Sequence, residues 1–96
     1  MDIELRFFAN FREAVGQKII TRTYDDDATV GEVLAALEAE YEGLDQHLLD
    51  EQGETLPQLS IMRNGRDVAH LEGVRTGLAD GDRLSVFPPV AGGSRD

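Results

Sequence analysis

Ninety-six residues with 41% apolar content make one ordinary globular domain with a single core, since a chain this short buries only about 60–65% of its unfolded surface. Cysteine is absent, which removes disulfides, thiolate catalysis and cysteine-held metals, and no apolar run is long enough to span a bilayer. Nineteen acids against nine bases give a net charge of −10, a surface that repels nucleic acid and anionic membranes.

Ile3, Leu5 and Phe7 alternate with Glu4, Arg6 and Phe8, a strand with one buried face. It starts without a basic-then-apolar leader, so the cytoplasm is the expected compartment. Asn10 to Val15 reads as a short turn or helix closed by Gly16. Gln17 to Tyr24 alternates again and is expected to return antiparallel. Asp25-Asp26-Asp27 is a polar loop; without a glycine turn or further ligands at regular spacing, it does not read as a calcium site.

Thr29-Val30-Gly31-Glu32 is a capping box, in which Thr29 caps the N3 amide and Glu32 reaches back. Val30, Val33, Leu34, Leu37 and Tyr41 then fall on one face of a helix, with Glu38, Glu40 and Glu42 on the wet side. Gly43 is expected to end it. Leu44 to Leu56 is irregular, anchored by Leu48 and Leu49, with a turn at Glu51-Gln52-Gly53.

Leu59 to Arg63 reads as a strand. Asn64-Gly65 is a strong two-residue hairpin signal, because both turn positions need φ > 0. It pairs Arg63 with Arg66, Met62 with Asp67 and Ile61 with Val68. Leu78 to Asp82 turns into the last strand, Arg83 to Phe87, which points Leu84 and Val86 inward and Ser85 and Phe87 outward. Hairpin, helix and further strands predict an α+β two-layer domain: one main helix on a mixed sheet of four or five strands, with the first and last strands parallel at the centre, as in the β-grasp arrangement.

This alternation leaves Phe8 and Phe87 on the open face, with Met62 nearby. Two outward phenylalanines on adjacent strands form an apolar patch that marks a partner, unless Phe8 packs under the tail or a loop. Arg6 and Arg63 or Arg66 are candidate rim residues. Past Phe87 the chain runs Pro88-Pro89-Val90-Ala91-Gly92-Gly93-Ser94-Arg95-Asp96. Proline cannot donate to a ladder and fixes φ, so the chain leaves the sheet stiffly at Pro88-Pro89. Glycine has no Cβ, so Gly92 and Gly93 can thread a narrow cleft and present an unhindered carbonyl. Residues 1–90 are read as the domain and 91–96 as a flexible tail.

The stretch Phe7 to Glu13, the helix opening at Thr29-Val30, the Asp80-Gly81-Asp82 turn and the terminal FPPVAGG resemble the ubiquitin-like sulfur carriers, in particular the molybdopterin synthase small subunits and the small archaeal modifiers. With so acidic a composition and a single lysine, Lys18, the resemblance is to a haloarchaeal modifier. It implies that the carboxylate of Gly93 is adenylated by an ATP-using enzyme related to the ubiquitin-activating one. Sulfur attack then gives a thiocarboxylate, a sulfur donor for molybdopterin or tRNA thiolation; attack by a lysine amine gives an isopeptide bond to a target protein. It also implies that Phe8, Met62, Phe87, Pro88, Pro89 and Val90 dock on the partner, which is the activating enzyme or a molybdopterin synthase large subunit. The carrier is then a non-catalytic monomer that binds no cofactor; the ATP is the partner's. Lys18 is the one side chain on which conjugate chains could grow.

Ser94-Arg95-Asp96 depart from this pattern, because family members with a free diglycine end at the second glycine. While these residues remain, the Gly93 carbonyl is an amide. Three readings stay open: a processing protease or metallo-deconjugase cuts between Gly93 and Ser94, the protein is only a noncovalent β-grasp binding adaptor, or the extension is irrelevant. RNA binding is disfavoured by the charge and the lack of a basic stripe. For a small enzyme, His47 and His70 lie far apart and Ser60, Ser85 and Ser94 show no nucleophile motif.

Overall fold

The hydrophobic alternation becomes a five-stranded mixed sheet. A computed structural model describes residues 1–89; Val90 to Asp96, and with them the diglycine and the cleavage point, lie outside the described residues. β1 (Asp2–Phe7), α1 (Ala9–Val15), β2 (Ile19–Thr23), α2 (Val30–Glu40), β3 (Ser60–Arg63), β4 (Arg66–Asp67) and β5 (Arg83–Phe87) follow in order, with 3₁₀ turns at Glu42–Leu44, Val68–His70 and Gly73–Arg75. The sheet order is β2-β1-β5-β3-β4. β1 pairs antiparallel with β2 and parallel with β5, placing the first and last strands together as the alternation predicts.

One face of the sheet supplies Ile3, Leu5, Phe7, Ile20, Ile61, Leu84 and Val86 to the core; α2 supplies Val30, Val33, Leu34 and Leu37, and Phe11, Leu44, Leu48 and Val68 close its edges. α2 starts as its sequence dictates. The Glu32 amide donates to Thr29 Oγ1 at 3.3 Å and the Thr29 amide to Glu32 Oε1 at 2.9 Å, so two otherwise orphan donors are satisfied reciprocally. α1 ends at Gly16 with φ 87°, a conformation only glycine adopts freely. The β3–β4 turn has φ 51° at Asn64 and 85° at Gly65, and Met62 opposes Asp67. The expected Ile61–Val68 pair does not form: the ladder stops at Met62–Asp67, and Val68 is buried from a 3₁₀ turn instead.

Three local expectations are corrected. Gly43 does not end α2, which stops at Glu40 with Tyr41 extended as its C-cap. Gly43 sits in the following 3₁₀ turn, where a Cβ would lie 2.7 Å from Ala14 Cβ, so its absent side chain permits close packing against α1. Glu38 is not on the wet side. Half-buried, its Oε2 accepts from the Leu48 and Leu49 amides, both at 3.1 Å, and pins the irregular segment to α2. Phe8 is not in a strand either: β1 ends at Phe7 and Phe8 is the extended N-cap of α1.

Candidate functional site

The sheet face opposite α2 carries no helix among the described residues, and the site lies at one end of it. The parallel register sets Phe7 against Val86, so the next residues on each chain, Phe8 and Phe87, also lie side by side. Both point away from the core. Their rings stack with centroids 4.3 Å apart and planes 9° apart. Each is half-buried rather than fully exposed, and each ring covers one face of the other; the alternative in which Phe8 packs under the tail lies outside the described residues. The chain reverses into α1 at Ala9, whose φ of 53° is unusual for a residue with a Cβ.

Around the stack, Lys18 Nζ lies 5.8 Å from the Phe8 ring centroid, within cation–π range. Met62 is half-buried on β3, opposite Ser85, while Ser60 opposes Phe87; Met62 therefore shares the open face at a diagonal step from Phe87. Pro88 is half-buried and Pro89 exposed where the chain leaves β5. Reading the sequence missed Ile19. It opposes Arg6 on the open face and, at 42%, is the large hydrophobic residue exposed among the described ones. The signal was the Ile19-Ile20 pair: in a strand only one of two adjacent isoleucines can face the core, and Ile20 does.

The rim is also corrected. Arg63 opposes Leu84, on the other face, and its Nε donates to Asp82 Oδ2 at 2.8 Å; Arg66 pairs with Arg63 on the edge hairpin. The open-face cations are Arg6, Arg83 and Lys18. Arg6 Nε and Arg83 Nε both donate to Glu4 Oε2, at 2.6 and 3.0 Å. The Arg6 hydrogen bond, aided by Arg83, holds the Glu4 carboxyl below its usual range.

His47 and His70 are exposed, and among the described residues there is no group of three or more His, Asp or Glu that could hold a metal ion. No helix among them is long and apolar enough to cross a membrane. What the site offers is an aromatic platform at the point where a strand delivers its chain to a Pro-Pro-Val-Ala-Gly-Gly run.

A mixed sheet with parallel central strands, one main helix on one face and a stacked aromatic pair where β5 ends defines a β-grasp protein of the ubiquitin-like kind. Known proteins agree. The ThiS family matches residues 5–93. Small archaeal modifier protein 3 of Haloferax volcanii is 61% identical over 97% of this chain and 100% of its own length. The sulfur carrier protein CysO of Mycobacterium tuberculosis is 38% identical over 81% of this chain and 83% of its own. In the crystal structure of the Amycolatopsis orientalis BexX/CysO complex, a chain 26% identical superimposes with a TM-score of 0.79 over 95% of this chain and 99% of that one. The chain belongs to the ThiS family of ubiquitin-like sulfur carriers and modifiers. Its relatives are small carrier and modifier proteins, and one of them is found in complex with a second protein.

Proposed function

We propose that this protein is a carrier whose own C-terminus is the reacting group, freed by removal of Ser94 to Asp96 and then activated at Gly93. A carboxylate is a poor electrophile. Attack of a Gly93 oxygen on the α-phosphorus of ATP expels pyrophosphate and leaves a mixed anhydride with AMP. Hydrosulfide or a lysine amine then attacks the carbonyl carbon, AMP departs and a proton is lost, and a thiocarboxylate or an isopeptide results. The partner adenylating enzyme supplies ATP and catalysis, and the β-grasp domain supplies a grip and a thread. Lys18 is the side-chain amine on which a second carrier could be conjugated, and the setting is cytoplasmic.

The observation that carries this reading is the stacked Phe8–Phe87 pair at the exit of β5. A partner that holds the pair takes up the chain from Pro88 onward at a fixed distance from its own active site. The experiment incubates the full chain, and a chain ending at Gly93, with the adenylating enzyme of the same cell and ATP. The shortened chain is expected to gain the mass of AMP and the full chain to gain nothing. Failure of the shortened chain to form an acyl-adenylate would leave only the noncovalent adaptor.

A further inference from the structure

We infer that the open sheet face is built to receive an acidic protein surface, with Arg6, Arg83 and Lys18 as the groups that read it. The inference rests on the reading above insofar as it names the chemistry of the partner that grips the Phe8–Phe87 stack.

The chain carries a net charge of −10, so cations gathered on one face need a reason. Register places Arg6 beside Ser85 and Glu4 beside Arg83, all on the face turned away from α2. Lys18 joins them over the Phe8 ring. One carboxylate, Glu4, serves both guanidiniums, and through a single Nε–H of each. The Nη donors of Arg6 and Arg83 have no acceptor among the described residues, so each fork keeps a free edge suited to a carboxylate. The two other acids on this face, Asp2 and Asp67, accept from Thr23 Oγ1 at 2.7 Å and the Ala69 amide at 2.9 Å; with Glu4 they balance the three cations, so this face is near neutral and the chain's net −10 falls outside it. Elsewhere the surface is dominated by acids, including Asp25 to Asp27 and Glu40 and Glu42, all exposed. An aromatic centre whose cations offset the acids beside them, on a chain of net charge −10, fixes orientation as well as contact. An acidic partner is steered to this face and kept off the others.

The test measures binding of the Gly93-terminated chain to its adenylating enzyme by calorimetry without ATP, and separately the rate of carrier-dependent ATP–pyrophosphate exchange. Lys18→Glu and Arg83→Glu are each expected to raise Kd and KM about tenfold with kcat retained. Lys18→Arg should restore both, and Arg75→Glu, on an exposed 3₁₀ turn, should change neither by more than about twofold. Wild-type binding should weaken from 0.1 to 1 M KCl. Reversals that bind like wild type would overturn the inference, as would a carrier that self-associates through this face in sedimentation equilibrium and loses that association in Lys18→Glu. Charge-dependent binding with no exchange by any chain would uphold the acidic docking surface while sinking activation at Gly93.

Discussion

Asp82 accepts a 2.8 Å hydrogen bond from Arg63 Nε, joining the loop before β5 to the end of β3. The same buried carboxylate accepts from Asn64 Nδ2 at 2.9 Å and from the Ala79 amide at 2.8 Å. Burial alone would push its carboxyl up; hydrogen bonds from Asn64, Arg63 and Ala79 outweigh burial and hold it below its usual range. A carboxyl depressed on folding stabilises above its unfolded pKa, close to 3.8, and that stabilisation disappears as pH falls through the folded value. Asp82→Asn, which keeps the shape but not the charge, is expected to cost about 2 kcal/mol at pH 7. It should also flatten the fall in stability below pH 4, since one proton fewer is taken up on unfolding. Urea midpoints from pH 7 down to pH 2.5 check both; an unchanged acid limb in the variant would remove Asp82 as its source.

Gly43 marks a place where a glycine is required by its neighbour. A Cβ there would stand 2.7 Å from Ala14 Cβ and 3.4 Å from Ala14 Cα, so α1 or the 3₁₀ turn must shift. Gly43→Ala is expected to destabilise by about 1–3 kcal/mol. Pairing it with Ala14→Gly removes the clash, so the double variant should lose less than the sum of the two single losses. Additive losses in a thermal-melting cycle would show that the contact does not set the cost.

Much of this architecture was legible because local signals and burial agree. Alternation in Ile3-Leu5-Phe7 and Leu84-Val86 gave the buried sheet face, and Asn64-Gly65 gave the hairpin register. Thr29 and Glu32 gave the start of α2. The helix end was not legible: glycine is the usual terminator, but at Gly43 it answers contact with Ala14. Nor does sequence reveal that Glu38 turns inward to hold the Leu48 and Leu49 amides, ten and eleven residues further on, or that Ala9 takes a positive φ. The outward face of Phe87 followed from strand parity, and Phe8 reaches it as the extended N-cap of α1. The rim of this patch was misread although parity held the answer: Arg63 shares the face of Ile61, where Asp82 takes its guanidinium.

The phenylalanine pair should matter to docking more than to folding. Phe87→Ala exposes one face of Phe8 but removes little from a core formed on the other side of the sheet. Binding to the proposed adenylating partner is expected to weaken by about 2 kcal/mol, roughly 30-fold. Calorimetric titration beside a thermal melt separates the two effects; a variant that binds normally would mean that the stack is only a lid over the sheet end.

Salt should stabilise this domain. The described ion pairs are mostly at the surface, with side-chain exposure of 29% and 34% for Arg6–Glu4 and 37% and 38% for Arg22–Glu40, and exposed pairs contribute little. Against them stands the self-repulsion of a net −10 chain, including three adjacent exposed carboxylates at Asp25 to Asp27. Raising salt from 0.1 to 1 M shortens the screening length from about 10 Å to about 3 Å. That weakens both effects, but repulsion summed over the whole surface is the larger, so stability rises. A gain of about 1–2 kcal/mol would lift Tm by roughly 5–10 °C in a domain of this size. The control is Asp25→Asn combined with Asp27→Asn, which removes two charges from the densest cluster and should melt higher at low salt and gain less from KCl. A Tm that stays flat from 0.05 to 2 M KCl would show that repulsion does not limit folding here, and the acidity would then need a cause outside stability.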